Sequence, residues 1–362
     1  MTHTPTDILD ALDSLVTQVR AAAQARTPLH IRAGGSKDFY GNTTTGTLLD
    51  PRVHCGIVNY EPSELVITAR CGTPLTEIEN ALAAQQQMLA FEPPHFGPGA
   101  TVGGMVAAGL SGPRRAAAVG GGAVRDFVLG AQLLNGRGEV LRFGGQVMKN
   151  VAGYDVARLL VGSLGTLGLI LEASFKVLPC PRVEQTLRLS AHETRAIRNM
   201  NLWAEQPWPI SATLWHQGEL HVRLSGAQAA VQEAQHALGG EPVDDAQLWH
   251  QVREHTHPFF AAQDTALWRL SVPSTTPPLD LGPTLIEWGG ALRWVRSTLP
   301  ASMLRERAAT AGGHATLFRG GERCSGSVFH PLDPVLSKIH HRLKTEFDPH
   351  NIFNPGRMYA GL

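Results

Sequence analysis

Apolar and polar residues alternate with the period of strands between residues 47 and 72, in Thr47-Leu48-Leu49-Asp50 and again in Leu65-Val66-Ile67-Thr68-Ala69. Leu29–Ala33 reads as a short strand ahead of them. The first 26 residues carry a helical period instead, with Ile8, Leu12, Leu15, Val16 and Val19 on one face. Thr73 and Pro74 read as an N-cap and first helical position. Leu75, Ile78 and Leu82 then line a helix that runs through Gln87. Phe127–Leu134 and Val140–Phe143 pair as a hairpin across Asn135-Gly136-Arg137-Gly138. Asp155–Leu160 reads as a short helix, and Leu169–Leu178 as a strand bounded by Pro179 and Pro181.

The proline pair marks a boundary. Beyond it glycine thins out and tryptophan enters, from Trp203 to Trp294. Strand Glu184–Leu189 precedes a helix over 192–206. A hairpin over Ala212–Leu224 turns at Gln217-Gly218, and helices follow at 226–238 and 245–254. Strands recur at Leu267–Val272, Thr284–Trp288 and Ala291–Ser297, then a helix near 300–311 and a strand His314–Phe318. This mixture predicts an α+β unit with an antiparallel sheet. A last helix begins at Asp333. It leads into a tail rich in proline and asparagine, too polar to hold a core, which must dock on the first unit.

Glycine is the strongest compositional signal. Residues 97–122 hold nine glycines, and residues 97–168 hold 18 of the chain's 38. Glycine lets main-chain N–H groups approach a ligand closely. A second loop, Ala33-Gly34-Gly35-Ser36-Lys37, lies upstream, and a third, Val161–Ile170, lies downstream. Three such loops predict one extended anionic ligand. The phosphate-loop pattern GxxxxGK[ST] and the dinucleotide fingerprint GxGxxG are both absent, which excludes a P-loop enzyme and argues against a Rossmann dehydrogenase.

The 362 residues fit two domains at about 150 residues each. Lys+Arg and Asp+Glu balance at 31 each, and no basic stripe points to nucleic acid. Cys55, Cys71, Cys180 and Cys324 stand apart, so this chain alone builds no thiolate iron–sulfur cluster. Their scatter fits a reducing, cytoplasmic compartment. The N-terminus lacks a secretory signal pattern, and no stretch reads as a transmembrane span. Among the 16 histidines, His255/His257 and His340/His341 are the close pairs, and neither spacing suits a metal.

The order AGGSK, PGATVGG, RDFVLGAQLLNGRGEV, KNVAGYDVARLLVGSLGTLGLILEASFKVLP and FDPHNIFNPGR resembles FAD-binding flavoproteins of the vanillyl-alcohol-oxidase and p-cresol-methylhydroxylase type. Within them it looks like the flavin subunits of multi-subunit bacterial glycolate oxidases. The resemblance implies an α+β fold: a two-subdomain FAD-binding domain over 1–180, completed by the tail 346–362. A smaller α+β cap over 181–345 would serve substrate or subunit contacts. It implies noncovalent FAD, a small 2-hydroxy acid substrate, a homologous flavin subunit and an Fe–S subunit as partners, and membrane contact only through those partners.

The resemblance also assigns residues. Ala33, Gly34, Gly35, Ser36 and Lys37 make a nest for the diphosphate, although Lys37 also reads as a solvated loop lysine. Pro98, Gly99, Ala100, Thr101, Gly103, Gly104 and Gly109 make the second cofactor loop. Gly162, Ser163, Gly165, Thr166, Gly168 and Ile170 make the third, and Asp126 falls in a family position. Asn354 and Arg357 are expected at the flavin, where a guanidinium stabilises the reduced ring. His95 is the one histidine near enough to the loops to be considered for covalent attachment, and none is expected.

Oxidising a 2-hydroxy acid needs a cation for the carboxylate and a base for the hydroxyl. His314, Arg319 and Arg269 are the candidates, with Arg323, His330 and Arg293 nearby in the sequence or on cap strands. Related catalytic subunits carry H-x-G-D-G-N-x-H in this region, and here only His314 stands in a similar place. Three functions compete: an FAD subunit within a complex, a self-sufficient 2-hydroxy-acid dehydrogenase, and a scaffold that keeps a flavin fold. The sparse histidines favour the first.

Overall fold

The computed structural model describes residues 5–117, 120–145, 155–244, 247–261, 265–320 and 328–362. Arg323, Cys324, the side chain of Ile8 and the start of the KNVAGYDV segment lie outside the described residues.

The first half holds α1 (Pro5–Ala25), β1 (Leu29–Ile31), β2 (Thr47–Leu49), β3 (Ile57–Glu61), β4 (Val66–Arg70), α2 (Leu75–Ala83), β5 (Gln87–Met88), α3 (Val102–Ala108), α4 (Val124–Phe127), β6 (Val128–Leu134), β7 (Val140–Gly144), α5 (Val156–Leu159), β8 (Leu169–Lys176) and β9 (Leu178–Pro179). Its main sheet is antiparallel with strand order β3-β4-β8-β6-β7. The sheet is covered on both faces. Ile67, Ala131 and Phe175 pack with Ile78 and Leu82 of α2 and with Met105 and Val106 of α3. Leu134, Leu169 and Leu171 face the other way, onto Leu15 and Val19 of α1. That two-sided burial is why β8 reads as a nearly unbroken apolar run, and why α1 carries its apolar stripe.

The second half adds β10 (Val183–Ser190), α6 (Glu193–Ala204), β11 (Ile210–His216), β12 (Glu219–Gly226), α7 (Gln228–Leu238), β13 (Glu241–Val243), α8 (Leu248–Glu254), α9 (Pro258–Ala261), β14 (Ala266–Ser271), β15 (Thr284–Glu287), β16 (Leu292–Ser297), α10 (Ala301–Thr310), β17 (His314–Arg319) and α11 (Pro334–Phe347). Its eight strands form one sheet in the order β13-β10-β12-β11-β15-β16-β14-β17. The period-2 alternation separates two faces. Trp215 and Ile286 lie under α6 and α7, and Trp268, Leu270 and Leu317 lie under α10. Leu214, Leu267, Leu285, Trp294 and Phe318 form the inner face. They share a core with Tyr40, Ala108 and Leu110 from the first half.

Local chemistry moved some boundaries. Thr73 does not cap α2. Its hydroxyl donates to the Arg70 carbonyl at 2.6 Å and accepts the Gly56 N–H at 2.8 Å, tying the chain that leaves β4 to the residue that enters β3. The helix stops at Ala83 because Gln86 takes φ +53° and Gln87 enters β5. The tail departs most from expectation. Ile352 and Phe353 are 1% and 0% exposed, in one core with Leu15, Leu29 and Leu49. Phe353 also bridges β1 in parallel. The tail is therefore part of the fold's interior as well as a wall of the site.

Candidate functional site

A cleft opens where the three loops and the C-terminal tail meet. Its walls include His30, Arg32, Gly34, Gly35, Ser36 and Lys37 from the first loop, Gly99, Thr101 and Gly104 from the second, Ala107 and Ala108 of α3, Leu164 of the third loop, and Asn354 and Arg357 of the tail. The first two loops touch: a Cβ on Gly34 would collide with the Gly99 carbonyl. Thr101 starts α3 by accepting the Gly104 N–H on its hydroxyl at 3.2 Å.

The tail ties the loops together. Asn354 accepts the Ile31 N–H at 2.8 Å and donates to the Leu164 carbonyl at 2.8 Å, so one side chain joins β1 to the third loop. Arg357 donates to the carbonyls of Asn42 at 2.9 Å and Asp38 at 3.1 Å. Lys344, buried in α11, donates to Thr166 O at 2.7 Å, Phe353 O at 2.8 Å and Asp348 Oδ2 at 2.7 Å.

The cleft suits an extended dianion. Arg32, Lys37 and Arg357 stand against one acid, Asp38, which pairs with Arg32 at 2.6 Å, while burial and then Arg357 hold the His30 imidazole toward its neutral form. Glycine leaves room where a ligand needs it. A Cβ on Gly104 would meet only Thr101 Oγ1 at 3.3 Å, and one on Gly162 would meet nothing within 4 Å. These features fit FAD. When bound, FAD supplies two-electron acceptor chemistry at its ring.

Several expected residues hold other posts. Asp126 accepts the Ala123 N–H at 2.8 Å, which caps α4 rather than facing the cleft. Ile170 is 5% exposed inside the main core, because β8 is buried on both faces. Gly168 takes φ +150° and packs on Leu134, and Gly165 packs on Asn354. Gly103 packs on Cys71, and Gly109 on Gly162. Ser163 and Thr166 are buried, with the Thr166 hydroxyl donating to Ser163 O at 2.8 Å. Ala100 is buried and Pro98 is exposed, and neither lines the cleft.

The cap candidates divide. Arg269 lies on the inner face of β14, with its guanidinium 5.2 Å from the Trp288 ring, and Arg115 stacks on the same ring at 4.5 Å. Burial lowers the pKa of both arginines. His314 heads β17 beside Ser271, and burial, then Arg269 and His330, hold its imidazole toward the neutral form. Arg319 ends the same strand. It stacks on Phe39 at 4.1 Å and Phe96 at 4.9 Å, and burial brings its pKa down to about 10. So β17 carries His314 and Arg319 to opposite ends, and only His314 keeps company with Arg269. Glu287, buried beside Arg269, accepts Trp294 Nε1 at 2.7 Å, and desolvation raises its pKa to about 7.

Sequence reasoning missed the aromatic seam. Phe39 and Tyr40 directly follow the first loop, and Phe96 directly precedes the second. That adjacency was the available signal. These rings meet Phe318 at 5.4 to 6.1 Å and join the loops to the cap. An ionic network adds to the seam: Arg223 of the cap donates to Glu92 at 2.8 Å, and Arg114 to Glu184 at 3.0 Å.

Comparisons with known proteins agree with this geometry. Residues 9–144 match the family model described as an FAD binding domain. The chain is 50% identical over 354 residues to "Glycolate oxidase subunit GlcE" of Escherichia coli (strain K12), covering 98% of this chain and 99% of that one. The chain belongs to that family of FAD-binding subunits. A "D-lactate dehydrogenase" of Anaerostipes hadrus is 36% identical over 126 residues, 35% of this chain and 26% of that one. The solved structure of an alkyldihydroxyacetonephosphate synthase superposes with TM-score 0.66 at 14% identity, over 95% of this chain and 74% of that one. That likeness confirms the expected fold. The chain binds FAD and has the p-cresol-methylhydroxylase-type architecture. No helix among the described residues is long and apolar enough to cross a membrane.

Proposed function

We propose that this chain is the FAD-binding subunit of a multi-subunit glycolate oxidase. The assembled complex oxidises glycolate, or a D-lactate-like 2-hydroxy acid, to the 2-oxo acid, and electrons pass to an Fe–S partner. The observation that carries this reading is the cationic, glycine-walled cleft closed by Asn354 and Arg357, in a chain that matches a glycolate oxidase subunit along its whole length. FAD is held by the first loop, the Gly99–Gly104 turn, and the third loop with the tail. The FAD-binding domain spans 1–180 plus the tail, and the cap begins at 181. The return to the first domain falls inside α11, because Leu343 and Phe347 pack on the first core. Partners bring the assembly to a membrane.

The chain's own residues supply part of a substrate site. Arg269 and Arg115 over Trp288 offer cations to a carboxylate. His314, held toward neutrality, offers a proton acceptor. Among the described residues no group of three or more His, Cys, Asp or Glu gathers in a metal-holding arrangement, and β17 takes Arg319 away to the aromatic seam. The homologous flavin subunit therefore completes the chemistry. The pure, flavin-loaded chain mixed anaerobically with excess glycolate or D-lactate is expected to keep its yellow colour. Rapid bleaching by either acid would instead make this chain a self-sufficient dehydrogenase.

The flavin is noncovalent. His95, near the loops, has Nε2 engaged by Glu79 at 2.9 Å, and the first loop carries Lys37 and Asp38 rather than a histidine. Acid precipitation is expected to leave all the flavin in the supernatant. A yellow pellet would refute it.

A further inference from the structure

Glu254 closes α8 in the cap and is nearly buried, with 11% of its side chain exposed. Its carboxylate accepts the His95 N–H at 3.1 Å and the Phe96 N–H at 2.8 Å. Both amides belong to the FAD-binding unit and stand directly before Gly97-Pro98-Gly99. Phe96 has φ +54°, a left-handed conformation that a bulky residue keeps only when its surroundings hold it. The paired amide acceptors of Glu254 are that hold. On the far side of the same peptide, the His95 carbonyl accepts Lys37 Nζ at 3.1 Å. Lys37 Nζ also lies 5.7 Å from the Phe96 ring. Carboxylate, peptide and ammonium thus run in series from the cap to the first loop. Because Gly34 and Gly99 are in contact, the second loop cannot shift without moving the first.

We propose that Glu254 is a positioning residue for the flavin: its carboxylate clamps the His95–Phe96 peptide, sets the second loop against the first, and holds the Lys37 ammonium in the cleft wall. This rests on the reading that the cleft holds FAD. The same carboxylate acts through charge. Burial lowers the Lys37 pKa to about 8, and Glu254 opposes that fall. The other ionisable groups facing Glu254 and Lys37 are Arg253, which pairs with Glu254 Oε1 at 2.8 Å, His255 at 5.0 Å from the Phe96 ring, His95 with its partner Glu79, Arg319 over the Phe96 ring, Arg357 at the Lys37 carbonyl, and the Arg32–Asp38 pair of the first loop.

An anionic ligand binds best while Lys37 is protonated. Affinity of the full chain for FAD is therefore expected to hold at low pH and to weaken as pH rises through about 8. Glu254→Gln keeps the side chain's size and removes its charge. FAD should bind about tenfold more weakly, from lost charge-assisted hydrogen bonds. The weakening with pH should also begin about one unit lower, since Lys37 has lost its anion. Glu254→Asp should restore the onset, and Lys37→Met should abolish the pH dependence.

Quenching of FAD fluorescence, titrated from about pH 6 to about pH 10, reads both quantities. A merely structural carboxylate would lower affinity equally at every pH. An unchanged onset or an unchanged affinity in Glu254→Gln would therefore overturn the proposal. Gly104→Val separates the two levels. If it loses FAD while Glu254→Gln behaves as wild type, the cleft stands and the clamp falls. If it binds FAD normally, the cleft reading itself falls, and the clamp with it.

Discussion

A chain carrying Gly104→Val is expected to fold normally and to hold no flavin. Gly104 sits in the first turn of α3 and lines the cleft. Its missing Cβ would meet only Thr101 Oγ1, at 3.3 Å, a tight contact that one side-chain hydroxyl relieves by shifting a few tenths of an ångström. The helix tolerates the change, because valine is no worse a helix former than glycine and stability should stay within about 0.5 kcal/mol. The cleft does not tolerate it. Three added carbons stand where main chain must approach the cofactor, and loop and helix cannot both retreat from packed neighbours. FAD affinity should fall at least about a hundredfold, or roughly 3 kcal/mol. Gly34→Ala is the contrasting control. Its Cβ collides with the Gly99 backbone, so it should lose stability and flavin together. Visible flavin absorbance per chain, read beside the thermal midpoint, distinguishes the two. Wild-type flavin content in Gly104→Val would remove the second loop from the cofactor site.

What the sequence made legible is what glycine and periodicity encode. The three loops could be read because each needs main chain close to a ligand, and that leaves a compositional trace. The antiparallel cap could be read because alternation at Leu267–Val272 and Ala291–Ser297 has one solution in a sheet. Residues whose roles come from distant partners left no such trace. Glu254 looks like any acid near a helix end, and only the fold brings His95 and Phe96 to it. Arg269, on a cap strand, and Arg319, just past one, were both read as candidate substrate cations. The irregular register where β14 meets β17, between Leu267 and Trp268, comes just where Arg319 pairs, and that arginine ends against Phe39. Asp126 was expected from its family position and Thr73 from its residue type, and their hydrogen bonds are spent locally. The tail was judged by its polarity. Two apolar residues, Ile352 and Phe353, decide its placement, and a count of polar letters hides them.

Lys344→Met in α11 is expected to cost more stability than any single change in the tail it anchors. Lys344 is 5% exposed and Asp348 is 1% exposed. The ammonium donates three hydrogen bonds, to Asp348, to Thr166 O in the third loop and to Phe353 O in the tail. Asp348 in turn accepts the N–H groups of Ile352 at 3.0 Å and Phe353 at 2.8 Å. One buried pair therefore holds helix, tail and cofactor loop in register. Methionine fills similar space and removes every donor. Asp348 is then a buried carboxylate with no cation, and two carbonyls lose their partner. Removing one side of a buried pair costs about 3–5 kcal/mol, far above the value of a surface pair. The Asp348→Asn change in the same background removes the stranded charge and keeps an acceptor for a tail amide. The double variant should recover part of the loss, a non-additivity that a double-mutant cycle measures directly. Urea unfolding of the four chains gives the cycle. A Lys344→Met cost below about 1 kcal/mol would mean that the pair is dispensable and that apolar packing of Ile352 and Phe353 alone seats the tail.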